Sequence, residues 1–144
     1  RYSRQLALKE LGEAGQHKLL QARVLMIGAG GLGCGVLPYL AAAGVGFIGI
    51  IDDDTVALNN LHRQVLYAVK DIGQPKAIKA ASVLRQLNPE IDIVALNVRL
   101  TVANAVEIIN AYDIVVDGAD NFSTRYMVTD ACVPLGKPRV YQLR

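Results

Sequence analysis

The sequence has little of several features that mark whole classes of protein. Only two of its 144 residues are cysteines, Cys34 and Cys132, and they lie far apart with no CxxC pair. They give no sign of a disulfide framework or a zinc knuckle, and they favour a reducing, cytoplasmic compartment. Fifteen basic and thirteen acidic residues leave a net charge of +2, which is too weak to predict a nucleic-acid or membrane-surface partner.

The sequence also gives no sign of secretion or of a membrane span. The opening segment RYSRQLALKELGEAG is charged throughout and lacks the apolar core of a signal peptide. The stretch from Val24 to Ile51 carries no charge and is long enough to cross a bilayer. Its eight glycines and Pro38, however, divide it into a strand, a tight turn, a helix and a second strand. We therefore expect no membrane partner.

Strand-like apolar runs alternate with helix-like periodicity along the chain. Helices are predicted over Gln5–Leu20, Leu32–Ala43 and Pro75–Leu87, after Thr101, and from Asn121 to Leu135. Strands are predicted over Val24–Ile27, Phe47–Ile51, Ile91–Val98, Ile114–Val116 and Pro138–Leu143. This order predicts one α/β domain over residues 1–144, with a helical part (1–22) and a core (23–144). The fold class is a Rossmann-like open, mostly parallel sheet with helices on both faces.

A parallel sheet of this kind places its ligands beyond the carboxyl ends of the strands, where the positive helix N-termini also gather. We therefore look for function in the turns at residues 28–33, 52–63, 73–76 and 117–125. The first of these, GAGGLG, lies between a strand and a helix and matches GxGxxG with one extra glycine. Asp52 follows nineteen residues after Gly33, where a carboxylate can accept hydrogen bonds from ribose hydroxyls.

The glycine turn and Asp52 together predict an adenine nucleotide without saying which one. NAD, FAD and ATP all satisfy the pattern, so an NAD- or FAD-binding oxidoreductase is the first hypothesis from these residues alone. Asp53 and Asp54 fit a solvated acidic loop as well as they fit a ligand role.

Further blocks along the chain make the pattern more specific. Asn60 and Arg63 lie just beyond the ribose-binding position, in the segment IDDDTVALNNLHRQ. The other blocks are RYSRQ, GAGGLGCGV, AAAGVG, GQPK and DGADNFSTR. Together and in this order they resemble the ThiF/MoeB/HesA superfamily, to which the ubiquitin-activating enzymes also belong. The resemblance covers the whole chain as the N-terminal, nucleotide-binding part of the family domain.

The resemblance implies an ATP-dependent adenylyltransferase. Its substrate would be the C-terminal Gly-Gly carboxylate of a small ubiquitin-like or sulfur-carrier protein, activated as an acyl-adenylate. Carried over by position, Asp120 would hold Mg²⁺, and Arg4 would reach the γ-phosphate of the opposite subunit in a homodimer. The residues implied to act in catalysis are Arg4, Arg63, Lys76 and Asp120. Those implied to bind the nucleotide are Gly28, Gly30, Gly31, Gly33, Asp52, Asn59, Asn60, Arg63, Lys76, Asp120 and Asn121.

The chemistry explains these residue types. A carboxylate attacking a phosphate brings two anions together, and pyrophosphate leaves with growing negative charge, so cations must cover both. Each residue also has a structural interpretation. Arg63 would be a surface residue, Lys76 part of the polar stripe of its helix, Asp120 a helix cap, and Arg4 part of an amphipathic opening helix.

The sequence departs from the family pattern towards its end. The family domain normally continues with more strands, and often with paired CxxC motifs that bind zinc. This chain ends at Arg144, and PRVYQLR lacks the small residues usual in relatives. We therefore expect a truncated sheet and no zinc site within this chain. A non-catalytic nucleotide-binding module stays open as an alternative.

Overall fold

The computed structural model describes residues 1–141, which form a five-stranded sheet with helices on both faces. The strands lie in the order β3-β2-β1-β4-β5 and all pair in parallel. The strands are β1 (Arg23–Ile27), β2 (Phe47–Ile51), β3 (Asp92–Leu96), β4 (Ile114–Asp117) and β5 (Arg139–Tyr141). The helices are α1 (Ser3–Leu6), α2 (Gly12–Gln21), α3 (Gly31–Ala43), α4 (Lys76–Leu87), α5 (Val102–Asn110) and α6 (Phe122–Leu135). The predicted Rossmann-like α/β class is confirmed.

Successive strand residues point to opposite faces, so the sheet has one apolar core on each side. On one side Met26 and Ile50 pack among the buried residues of α3 and α4, such as Leu37 and Leu84. On the other side Leu25 and other strand residues pack against α5 and α6. The near-continuous apolar runs of β1 and β2 reflect this burial on both faces.

Two predicted helix boundaries need correction. The single opening helix over Gln5–Leu20 is wrong: α1 ends at Leu6, and α2 begins at Gly12. Gly12 has a φ of +56°, a left-handed conformation that interrupts a right-handed helix. In α4, Pro75 is the N-cap rather than the first helical residue.

The polar stripe predicted for α4 differs from the structure at Lys76. This residue is buried rather than exposed. The reason is tertiary: the loop after β2 pairs with the start of α4 through a bridge between Thr55 and Pro75, and this covers the first turn. The polar and apolar periodicity of a helix sequence does not show that a separate loop buries its first turn.

The uncharged stretch Val24–Ile51 forms β1, α3 and β2, as its glycines predict, although Pro38 lies inside α3 without ending it. Within residues 1–141, no helix combines the length and the hydrophobicity that a bilayer crossing requires. The last predicted strand begins one residue late at Arg139, and its residues 142–143 lie outside the described part of the chain.

Candidate functional site

A cleft of about 770 Å³ opens at the carboxyl edge of the sheet. Its walls come from the ends of β1 and β2, from the loops after β2, β3 and β4, and from the N-terminal turns of α3, α4, α5 and α6. Because helix N-termini carry partial positive charge and spare N–H groups, their convergence favours an anionic ligand. The site residues predicted from the sequence that line this cleft are Gly28, Gly30, Gly31, Asp52, Asn60, Arg63, Lys76, Asp120 and Asn121.

The glycine turn follows β1 and requires glycine at two positions. Gly28 has a φ of +87°, and a Cβ there would lie 3.2 Å from the carbonyl oxygen of Gly118. A Cβ on Gly33 would lie 2.3 Å from the carbonyl oxygen of Gly28, which is closer than real atoms approach. Gly33 is buried and does not line the cleft, so its part is the close packing of α3 on the turn.

Asp52, at the tip of β2, is fixed against the glycine turn. Its Oδ2 accepts a hydrogen bond from the Ala29 N–H at 2.7 Å, and its Oδ1 accepts one from the Asp54 N–H at 2.8 Å. Burial raises the pKa of this carboxyl, while the two N–H bonds and the Lys76 charge act in the opposite direction. A carboxylate has about four acceptor positions, so Asp52 keeps capacity for ligand hydroxyls.

Lys76, in the first turn of α4, places its ammonium beside Asp54. Its Nζ lies 2.8 Å from Asp54 Oδ2, and its backbone N–H donates to the Asp54 carbonyl at 2.9 Å. The Tyr67 hydroxyl donates to the Ala29 carbonyl at 2.7 Å and lies 3.4 Å from the Lys76 carbonyl oxygen. Tyr67 is buried, and burial raises the pKa of its phenol, so it stays a donor. The glycine turn and the lysine are therefore held in fixed relation.

The loop after β2 brings Asn60 and Arg63 to the cleft. The Asn60 side chain caps a short 3₁₀ turn by accepting from the Ala57 N–H at 3.2 Å. Arg63 lies over the glycine turn, so that a Cβ on Gly31 would meet its Cδ at 3.5 Å. Its guanidinium is exposed and makes a long hydrogen bond of 3.3 Å to the Asn59 carbonyl. Arg63 therefore lines the cleft while its guanidinium stays exposed to solvent.

Asp120 and Asn121 follow β4 in the loop that leads to α6. Asn121 is the N-cap of α6, because its Oδ1 accepts from the Thr124 N–H at 2.8 Å. Asp120 is exposed on the cleft wall. It is not the N-cap of α6, so the alternative interpretation of Asp120 as a helix cap is wrong. The loop is fixed from below by buried Asp117, which accepts from the Ala119 N–H at 2.9 Å and from Arg139 at 2.6 Å.

Three of the predicted site residues do not line the cleft. Gly33 packs behind the turn, Asn59 is exposed on the loop beside it, and Arg4 is exposed on α1. Cys34 and Cys132 are both buried, and burial raises the pKa of each thiol, consistent with small packed side chains.

Arg99 and Gln64 are among the cleft residues that sequence reasoning missed. Arg99, on the loop after β3, pairs with Asp53 through an Nε–Oδ2 contact of 2.8 Å. This loop follows the carboxyl end of a strand, so the rule that selects the other turns could have found it. Gln64 is buried beside Arg63 and lines the cleft. It is the last residue of the segment IDDDTVALNNLHRQ, but no local pattern distinguishes it from its neighbours.

The comparison with known families identifies the chain. Residues 2–142 match the ThiF family. The chain belongs to the ThiF family. It is 54% identical over 141 residues to a sulfur carrier protein adenylyltransferase of Thermus thermophilus, over 98% of this chain and 52% of that protein. It is 52% identical to a probable adenylyltransferase/sulfurtransferase MoeZ of Mycobacterium tuberculosis, over 98% of this chain and 36% of that protein. The chain thus spans about half or less of the length of these two relatives.

Solved structures with the ThiF-family fold agree with this assignment. Escherichia coli tRNA N6-threonylcarbamoyladenosine dehydratase, in complex with ATP, aligns with a TM-score of 0.88 at 26% identity, over 94% of this chain and 59% of that one. Escherichia coli MccB with AMPCPP and MccA aligns with a TM-score of 0.83 at 32% identity, over 88% of this chain and 38% of that one.

Proposed function

We propose that this ThiF-family domain binds ATP and takes part in adenylating the C-terminal carboxylate of a small carrier protein. The observation that carries the proposal is the arrangement of Arg63, Lys76 and Asp120 around one cleft that also holds the glycine turn and Asp52. Relatives that share about half of the residues are named adenylyltransferases, which supports the same reaction class here.

The cations favour ATP over a redox dinucleotide. The glycine turn and Asp52 suit either ligand, but neither explains a buried lysine and an exposed arginine beside the helix N-termini. A triphosphate carries more negative charge than a dinucleotide and needs cations beyond the turn itself. Structures of related folds in complex with ATP support this choice.

The proposed roles follow from the position of each side chain. The glycine turn and the start of α3 receive phosphate oxygens through backbone N–H groups, and Asp52 accepts from the ribose. As the carrier's carboxylate attacks the α-phosphate, the bond to pyrophosphate breaks and negative charge moves onto the leaving group. Lys76 supplies a compact charge and Arg63 a planar pair of donors to hold that charge. Groups of this kind are typically worth about 3 to 4 kcal/mol each to a transition state.

Asp120 is the proposed ligand for Mg²⁺. In residues 1–141 there is no group of three or more His, Cys, Asp or Glu side chains that could hold a metal ion alone. A single exposed carboxylate on the cleft wall fits Mg²⁺, because this ion is commonly held by one or two carboxylates together with substrate phosphates. The ion would neutralise charge on the phosphates without needing a proton.

The partner and assembly belong to the same proposal. We propose a carrier that ends in Gly-Gly, since a sulfur carrier protein adenylyltransferase and MccB, solved with MccA, are among the similar proteins. We also propose a homodimer in the cytoplasm, in which Arg4 of one subunit reaches the triphosphate of the other. The exposed position of Arg4 on α1, outside its own cleft, is compatible with this role.

The test is ATP:pyrophosphate exchange, measured with and without a Gly-Gly-ended carrier protein. We expect exchange that depends on the carrier, on Mg²⁺ and on Asp120, with Asp120→Asn lowering the rate by about a hundredfold or more. Asp130→Asn, on the exposed side of α6, is the matched control and should leave the rate unchanged. Nucleotide binding without exchange under every carrier would instead support a non-catalytic module.

A further inference from the structure

Two of the sequence blocks, RYSRQ at residues 1–5 and AAAGVG at residues 41–46, do not line the cleft but contact each other. The first block includes most of α1, and the second spans the C-terminal end of α3 and the turn that follows it. Of their residues, only Arg4 has a proposed part in the reaction.

Gln16 joins the two blocks through its side-chain amide. It lies in α2 and is 4% exposed. Its Oε1 accepts a hydrogen bond from Gln5 Nε2 at 2.9 Å, and its Nε2 donates to the Ala43 carbonyl at 3.0 Å. Gln5 Nε2 also donates to the Ala43 carbonyl at 3.0 Å. Because the last carbonyls of a helix lack partners within the helix, the two amides complete the end of α3 and attach α1 to it.

Tyr2 makes a second attachment at the same end of α3. Its hydroxyl accepts from Asn88 Nδ2 at 2.8 Å, and Asn88 Nδ2 also donates to the Ala41 carbonyl at 2.8 Å. Its ring lies against Gly44, where a Cβ would come within 2.6 Å of the ring carbons. Gly44 has a φ of +85° and is the C-cap of α3. The backbone around Arg4 is therefore fixed on both sides.

This attachment determines how far Arg4 lies from the cleft of its own chain. The glycine turn precedes the N-terminal end of α3, whereas α1 is attached at the C-terminal end. The 13 residues of α3 span about 20 Å, which is well beyond the length of one arginine side chain. Arg4 is also exposed. An exposed arginine that is fixed at this distance is suited to act on a neighbouring molecule and not on its own glycine turn.

We propose that Gln16 is a positioning residue for Arg4, because its amide holds α1 against the end of α3 and so directs Arg4 to the cleft of the second subunit. The proposal rests on the proposed homodimer and names what fixes the arginine in it. None of the residues Ser3–Leu6 in α1 is buried, so this short helix has little packing of its own to orient it. Loss of the Gln16 amide should therefore impair the second subunit's site and leave the cleft of its own chain intact.

The test compares Gln16→Met, which keeps the side-chain length and removes the amide, with Gln21→Met at the exposed end of α2. Carrier-dependent ATP:pyrophosphate exchange by Gln16→Met alone should fall by about ten- to a hundredfold, because a displaced arginine no longer meets the phosphates. Gln21→Met should exchange at the wild-type rate. A wild-type rate for Gln16→Met would overturn the proposal.

Mixing two inactive variants shows in which subunit the defect lies. Gln16→Met mixed with Lys76→Met should recover at most about a quarter of the wild-type rate, because the cleft of the Gln16→Met subunit then receives Arg4 from an intact α1. Gln16→Met mixed with Arg4→Ala should recover nothing, since each cleft of the heterodimer then faces a defective α1. A substitution that only weakens the fold of its own chain would not be rescued by Lys76→Met.

The same mixtures separate failure of this proposal from failure of the proposed dimer. If Lys76→Met rescues Arg4→Ala but not Gln16→Met, or if Gln16→Met and Arg4→Ala rescue each other, Gln16 does not position the arginine. If Lys76→Met does not rescue Arg4→Ala, the proposed action across the dimer fails and this proposal fails with it, while exchange by the wild type still supports adenylation. Should Gln16→Met fail to fold, Gln5→Met breaks the same amide contact from α1 and must give the same pattern of rescue.

Discussion

The ammonium of Lys76 lies 2.8 Å from the carboxylate of Asp54, and the two side chains differ sharply in exposure, at 6% and 74%. The buried lysine side chain is thus held in place by an exposed carboxylate, and both residues line the cleft. Because the partner is solvated, the pair adds little to stability. The pair instead fixes the position of the Lys76 ammonium at the cleft.

The first prediction concerns this lysine. Lys76→Met should lower carrier-dependent ATP:pyrophosphate exchange by about a hundredfold or more, because in the proposed mechanism it removes the charge that stabilises the leaving pyrophosphate. The free energy of unfolding should change by less than about 1 kcal/mol, since Asp54 is left in solvent. Lys70→Met, on an exposed residue away from the cleft, is the control. Equal exchange rates for the two variants would show that Lys76 takes no part in the reaction.

The proposed dimer predicts complementation between two inactive variants. Arg4→Ala would spoil the neighbouring subunit's site, whereas Lys76→Met spoils its own. Mixing the two proteins should therefore form heterodimers with one intact site, with exchange recovering to at most about a quarter of the wild-type rate. Sedimentation would confirm that the subunits associate. A mixture no more active than its components would show that Arg4 does not act across an interface.

The ion pair of buried Asp71 and partly exposed Lys79 predicts a pH dependence of stability. The Lys79 hydrogen bond holds the pKa of Asp71 below its ordinary value of 3.8, so the ionised form stabilises the folded state. This contribution is fully present above about pH 3.8 and is lost as the pH falls through the lower, folded pKa. Lys79→Met should therefore reduce the free energy of unfolding at neutral pH, and the difference from wild type should shrink in acid.

Urea unfolding over a series of pH values would measure this effect, with Lys18→Met on the exposed face of α2 as the control. The control should follow the wild-type curve at every pH. A gap between Lys79→Met and wild type that stays constant down to the lowest pH would mean that the ion pair is not its cause.

Two glycines of α3 make a matched pair. Gly33→Ala places a Cβ 2.3 Å from the Gly28 carbonyl oxygen, so the turn must shift. We expect a loss of about 1 to 3 kcal/mol of stability and weaker ATP binding. Gly35→Ala meets no atom within 4 Å and should raise stability by about 0.5 to 1 kcal/mol, because alanine favours a helix. Thermal melts with and without ATP would compare them, and similar effects at both positions would contradict this packing.

Local patterns in the sequence predict much of this site. The glycine turn, Asp52 and the cap at Asn121 each follow from residues adjacent to a strand end, and the structure brings them to one edge of the sheet. The pairs Lys76–Asp54 and Arg99–Asp53 could not be predicted, because they join residues 22 and 46 positions apart through the packing of separate loops. The burial of Lys76 and of Gln64 has the same origin.

The opening helix shows a second limit of the sequence analysis. Apolar periodicity continues across residues 7–11, but the left-handed Gly12 separates α1 from α2. Glycine can adopt many conformations, and only its surroundings decide which one it takes. The predicted role of Arg4 depends on a second subunit, so the structure of a single chain does not test it.

The central claim is that the cleft takes a triphosphate and not a redox coenzyme, and calorimetry tests it most directly. ATP with Mg²⁺ and NADH would be titrated separately into the wild-type chain and into Arg63→Ala. We predict that ATP binds the wild type more tightly than NADH does, and that Arg63→Ala weakens ATP binding while leaving the weak NADH signal unchanged. Tighter binding of NADH than of ATP by the wild type would contradict the account.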